Sequence, residues 1–272
     1  MKMNMDKAGK QYWDATWQDG VLPAPVDPRK PGLSRHRDRS FHGYFQNVFQ
    51  GVETRGLRFL EIGCAQSVWL PYFAREYGFE VSGLDYSEIG CEQEKQILAA
   101  EGIDGDVVCA DFFSPPEEML GAFDVVVSFG VAEHFEDTAA CLEAFSKFLR
   151  PGGMLITSIP NLTGLIGSIQ KKVNRPVFDI HVLLNAQTLA AAHRRAGLQV
   201  IRCNYFMNTN FGVLNLNGLP TGSALWLAKK ILLALLVRYS MAVWFLEEKT
   251  RPFRATRLIA PAIICVARKP DA

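Results

Sequence analysis

The 272-residue sequence is short of several things, and each shortage excludes a class. It lacks paired cysteines. Cys64, Cys91, Cys109, Cys141, Cys203 and Cys265 are scattered, with no C-x-x-C pair and no histidine at zinc spacing. Free thiols in a reducing cytoplasm are the economical reading, and no bound metal is expected. It lacks an excess of either charge. With a formal net charge of +1 and 21% charged residues, the balance points to no nucleic-acid partner. The opening "MKMNMDKAGKQYWD" has no apolar core, so no secretion signal is expected and a cytoplasmic location is. The longest apolar stretch, "ALWLAKKILLALLVRYSMAVWFLEE", is interrupted by Lys229, Lys230 and Arg238 and leaves too short a run to span a bilayer.

What is there divides into two parts. Residues 1–55 are polar and aromatic, and Pro23, Pro25, Pro28 and Pro31 break any long helix. A short helix near Tyr12–Trp17 followed by an irregular arm is expected, forming an N-terminal cap. From residue 56 to 272 short apolar runs alternate with helical periodicity. The runs "LRFLEIG", "FEVSGLD", "DVVCADF", "FDVVVSFG" and "MLITSIP" read as buried strands. Ser87, Asp137 and Asn185 stand where helix caps are needed. Such alternation argues for an α/β fold with a parallel sheet covered on both faces. Ligands of these sheets bind at the carboxyl ends of the strands. "LQVIRCNYF" and "RLIAPAIICVARK" add two later strands, and residues 208–256 read as an insertion between them. Its helix, about 224–246, is apolar nearly all round. That pattern predicts a buried helix or a homodimer contact. The alternative is a surface that accepts a greasy substrate or makes a peripheral membrane contact.

The first strand-to-helix turn, "EIGCAQS", is also poor in glycine. A dinucleotide pyrophosphate wants G-x-G-x-x-G. Counting from Gly63, this chain offers Gly63, Ala65 and Val68, which argues against NAD or FAD. A ligand without phosphates fits better. Asp85, at the second strand tip, is placed to accept from a ribose diol. At the third, Asp111 is placed to accept from an adenine amino group and Phe112 to lie on the ring.

"FLEIGCAQS", "VSGLDYS", "CADFF", "FDVVVSFGVAEHF" and "LRPGGMLITSIPN", in this order, resemble the class I S-adenosylmethionine-dependent methyltransferases. The resemblance covers about Leu57 to Asn161, and more loosely the tail to Lys269. It implies a Rossmann-like seven-stranded sheet, mostly parallel with an antiparallel last strand, and S-adenosylmethionine as cofactor. It also implies roles. Gly63 and Ala65 let the loop pass close to the methionine part, and Glu61 holds its amino group. Asp85 binds the ribose, with Tyr86 near the adenine. Asp111 and Phe112 contact the adenine, and Ser128 and Phe129 line the methionine end. The departures are Ala65 and Ser67, where the family usually has glycines. Ser67 is suited to cap the following helix.

For a hydroxyl acceptor a base helps remove the proton, and His134 and His181 are the candidates. The plainer reading makes both hydrogen-bonded structural histidines, with Glu133 holding backbone donors. The Asn/Asp-Pro-Pro-aromatic motif of DNA amine methyltransferases is missing after the fourth strand, and no carboxylate cluster for a metal is visible there. Arg37 sits in a run with Arg29, Lys30, Arg35 and Arg39. The run is either a solvated face or an arm that recognises an anionic acceptor. Trp13 and Trp17 either close the site or pack a helix on the sheet. The expectation is an O-methyltransferase for a small molecule: a sugar, a natural product or a lipid-linked intermediate. The alternatives are transfer to nitrogen or carbon, and an inactive methyltransferase-like partner subunit.

Overall fold

A computed structural model describes residues 6–18 and 21–271. Residues 1–5, part of the stretch read for a secretion signal, lie outside the described residues. The chain runs through α1 (Lys10–Trp17), α2 (His36–Val48), β1 (Arg58–Ile62), α3 (Leu70–Tyr77), β2 (Glu80–Asp85), α4 (Glu88–Ala100), β3 (Gly105–Cys109) and β4 (Phe123–Phe129). It continues through α5 (Thr138–Phe148), β5 (Leu149–Pro160), α6 (Leu165–Val173), α7 (Arg175–Asp179), α8 (Ala186–Arg195), β6 (Gln199–Phe206), α9 (Ala224–Lys249) and β7 (Ala262–Arg268). The sheet order is β3-β2-β1-β4-β5-β7-β6. The pairs from β3 to β5 are parallel, and β7 is antiparallel to both neighbours, as the resemblance implied. The order reverses beside β1, which places a crevice at the carboxyl ends of β1, β2 and β4.

Local chemistry sets the boundaries. Ser87 Oγ accepts from Gly90 N, Asp137 Oδ1 from Ala140 N, and Asn185 forms a capping box with Thr188. "RPGG" lies in the opening residues of β5, with a register irregularity opposite Phe123–Val125. Alternation along β4 sends Val126 to one face and Val125 and Val127 to the other. The first face packs against Leu142, Phe145 and Leu189 of α5 and α8, and the second against Leu70 and Phe73 of α3.

Two expectations are corrected. The arm after α1 is not irregular throughout. Phe41, Phe45 and Phe49 recur at helical spacing and make α2 a core helix, with the Phe45 and Phe73 rings 4.9 Å apart. Nor is α9 buried. Only Ser240, Trp244 and Glu247 are enclosed, while Leu225 is 66% exposed and Leu235 56%. Trp244 donates to Thr209 O and stacks on His36, whose Nε2 lies 3.2 Å from Glu247 Oε2, so α9 is pinned by one face. No helix among the described residues is long and apolar enough to cross a membrane.

Candidate active site

A cavity of about 280 Å³ opens in the crevice. Its wall includes Glu61, Gly63, Ala65, Ser67, Asp85, Tyr86, Phe112, Phe129 and His134, and Trp13 and Trp17 from the N-terminal segment.

The first turn explains its own composition. Gly63 has φ +82°, and a Cβ there would run into Val131 Cγ2, so this glycine is required. Ala65 is tolerated because its neighbour gives way: a Cβ added at Gly90, in the first turn of α4, would overlap Ala65 Cβ. Ser67 replaces a glycine with a working hydroxyl. Its Oγ donates to Glu61 Oε2 at 2.6 Å and accepts from Trp69 N and Leu70 N, the donors that open α3. Asp85 accepts from Ala65 N at 3.1 Å and from Ser87 N at 2.8 Å.

The acids here are buried. Burial pushes Glu61 up to about 8, the Ser67 hydroxyl opposes that, and the charge of Asp85 adds to it. Asp85 is also raised by burial, against the backbone donors of Ser87 and Ala65. Beneath the turn lies Glu94, fully buried, with neither carboxylate oxygen hydrogen-bonded among the described residues. Burial and the neighbouring Glu61 push it up to about 9. The sequence carried no sign of it, since a Glu in an amphipathic helix reads as solvated.

The N-terminal segment folds over this floor. Asp6 Oδ2 accepts from Trp13 Nε1 at 2.7 Å and from the Tyr86 hydroxyl at 2.6 Å. Trp13 stacks on Trp17 and meets the His134 ring edge-on at 5.0 Å. Asp6 bridges Phe135, and Lys7 N donates to His134 O. Asp6 escaped sequence reading because nothing local marks it as a partner of Tyr86.

Four expected residues stand off the cavity wall. Asp111 is exposed and spends Oδ1 on Phe113 N at 2.9 Å, a turn acid's role. Ser128 is fully buried, and strand alternation turns it from the face that Phe129 occupies. Arg37 binds its neighbour Asp38 through Nε and Nη2, and so holds α2 together. His181 lies behind His134, the rings 4.6 Å apart. His134 Nδ1 is 3.0 Å from Ile180 O and His181 Nδ1 is 2.7 Å from Val177 O. A carbonyl only accepts, so each ring donates through Nδ1, and each neutral ring keeps its lone pair on Nε2. Burial lowers the pKa of both, His181 to about 4 with His134 as the second cause.

Residues 27–202 match a family described as a methyltransferase domain. The chain belongs to the S-adenosylmethionine-dependent methyltransferases. This methyltransferase is 34% identical over 92 residues to the ubiquinone biosynthesis O-methyltransferase of Pseudomonas aeruginosa (strain LESB58), covering 31% of this chain and 40% of that one. Against the protein of the same name from Xanthomonas axonopodis pv. citri (strain 306) it is 26% identical over 198 residues, covering 70% and 76%. The chain thus spans less than half the length of the Pseudomonas relatives it matches. Geranyl diphosphate C-methyltransferase from Streptomyces coelicolor A3(2), solved with Mg2+, geranyl diphosphate and S-adenosyl-L-homocysteine, shares the fold at a TM-score of 0.60 and 14% identity, covering 96% and 97%. The [4+2]-cyclase SpnF does so at 0.59 and 16%, covering 98% and 97%. The cavity suits the cofactor: it lies at the carboxyl ends of the strands with Gly63 and Ala65 on its wall, and Asp85 keeps unused acceptor capacity at the second strand tip.

Proposed function

We propose that this methyltransferase moves a methyl group to a hydroxyl oxygen of a lipophilic small molecule, an apolar natural product or a lipid-linked intermediate. One observation carries the reading. The cavity pairs an aromatic wall of Trp13, Trp69 and Phe129 with the imidazole of His134, whose Nε2 keeps its lone pair. S-adenosylmethionine supplies an already activated methyl group, so the chain's work is to bind, align and exclude water. In this reading Asp85 holds the ribose, Tyr86 and Phe112 flank the adenine, Glu61 serves the amino group, and Gly63 and Ala65 border the methionine part. His134 is the polar group through which the site handles the acceptor's proton.

The relatives named for O-methylation in ubiquinone biosynthesis favour oxygen as the acceptor atom, and the neighbour solved with geranyl diphosphate favours an apolar acceptor. The insertion favours it too. Residues 208–256 carry six Lys and Arg against two Asp and Glu, a net +4 in a chain of net +1. An exposed apolar helix set in positive charge suits an anionic lipid surface, where a lipid-bearing acceptor would arrive. A donor with a 13C methyl group, offered with hydroxylated prenyl arenes, free sugars and amines in parallel, tests the proposal. The label should appear as an O-methyl signal on the apolar acceptors. Label on nitrogen or carbon, or turnover of the sugars alone, would overturn it.

A further inference from the structure

Behind the His134 face of the cavity three side chains converge from two segments distant in sequence. Glu133 and His134 lie in a short helical turn after β4, and His181 lies just past α7. One ligand atom from each falls within 4.8 Å of the others, the only such metal-capable group among the described residues. Three features make this more than proximity. Both imidazoles donate through Nδ1 to backbone carbonyls, Ile180 O and Val177 O. That orientation fixes the tautomer of metal-bound histidines and leaves Nε2 as the ligand. Glu133 is 2% exposed, and its Oε2 has no hydrogen-bond partner. A buried carboxyl oxygen without a partner is an unsatisfied polar atom that a ligand could meet. Finally, the segments are already tied together, because Val182 N donates to Glu133 O at 2.6 Å.

From this geometry we infer that Glu133, His134 and His181 form a site for one zinc-type divalent cation, with a fourth position open to an oxygen donor. Two imidazoles and one carboxylate form a borderline donor set suited to zinc, cobalt or ferrous iron, whereas magnesium and calcium prefer oxygen alone. Three protein ligands are the number found in sites that keep a position for water or substrate. Bonds of about 2.0–2.2 Å put tetrahedral ligand atoms about 3.4 Å apart, so the three must draw in by about an ångström. His181, half-buried at the end of its segment, is the one with room to turn. Lys7 and Asp6, one of each sign, are the other charged groups facing the histidines. The open position suits a hydroxyl oxygen. That consequence rests on the O-methylation reading above, and in the loaded site the cation, rather than the His134 lone pair, would meet the acceptor oxygen; cation binding itself does not rest on that reading.

Equilibrium dialysis of the chelator-stripped full chain against zinc, with metal analysis, tests the inference without any acceptor. About one zinc per chain should be retained. Glu133→Gln and His181→Ala should each weaken binding at least tenfold, while His42→Ala, remote from the cluster, should not. Each variant is first checked for undiminished S-adenosylhomocysteine binding, which shows that it folds. Should a variant misfold, cobalt loaded into the unmodified chain reports instead. Its spectrum should show four-coordinate nitrogen and oxygen ligation, without the charge-transfer band of a thiolate. No retained zinc, zinc that ignores both substitutions, or a thiolate band would overturn the site. A failed labelling assay with zinc still bound would instead count against the acceptor reading alone.

Discussion

On the proposed donor side of the cavity, Glu61, Gly63, Ala65, Ser67 and Asp85 come from two neighbouring strand-to-helix turns that brace one another. On the proposed acceptor side, Glu133, His134 and His181 come from segments that meet only in the finished fold, under an N-terminal segment from a third. The donor side is self-contained and tightly filled. The acceptor side is an assembly of parts that each need the others. Substitutions on the first should therefore register in donor binding, and those on the second in turnover.

The largest effect should come from Gly63→Ala. A left-handed backbone and an overlap with Val131 together cost about 3 kcal/mol; an empty turn that relaxes to relieve them must be forced back to hold the donor, so calorimetry should find donor affinity weaker by up to about 100-fold. An unchanged affinity would dissolve the contrast at its firmest point. Next, His134→Gln should lower kcat about 100-fold and leave S-adenosylhomocysteine affinity within about threefold. If binding fell as far as turnover, the two sides would not be separable.

Gly90→Ala should weaken the donor about tenfold by crowding Ala65, and adding Ala65→Gly should restore most of the loss. Without that rescue, the fit between the two positions is not what makes Ala65 acceptable. Glu94 concerns stability. Its folded pKa of about 9 lies above the ordinary carboxylate value, so the fold keeps a proton that the unfolded chain has released. Stability contributed this way is complete at low pH and declines from about pH 4.5 to 9. Glu94→Gln should flatten that decline and add roughly 1–3 kcal/mol at pH 8, read as a higher melting temperature. An unaltered pH profile would contradict it. Finally, glutamates at Leu227 and Leu235, on one exposed face of α9, should cut sedimentation with anionic liposomes about tenfold. A monodisperse dimer indifferent to lipid would favour a contact between copies.

What was legible in the sequence follows the same division. The strands and the first turns could be read because their signals are local: an apolar run, a turn, an acid at a strand tip. Asp6, Glu94 and the cluster around His134 could not, because each matters through a partner that only packing supplies. His134 and His181 were visible as two separate bases, and no spacing betrayed that they face each other. Two periodic helices misled for opposite reasons. Four prolines and a run of arginines masked the Phe41, Phe45, Phe49 stripe of α2. In α9 apolar composition suggested burial, but composition says only that a face wants a partner, not that this chain provides one.

Asp6 has a consequence for access. One carboxylate oxygen grips Trp13 on the acceptor side and Tyr86 on the donor side, so a single latch spans both halves of the cavity. Opening the cavity at that point means breaking both of these hydrogen bonds together.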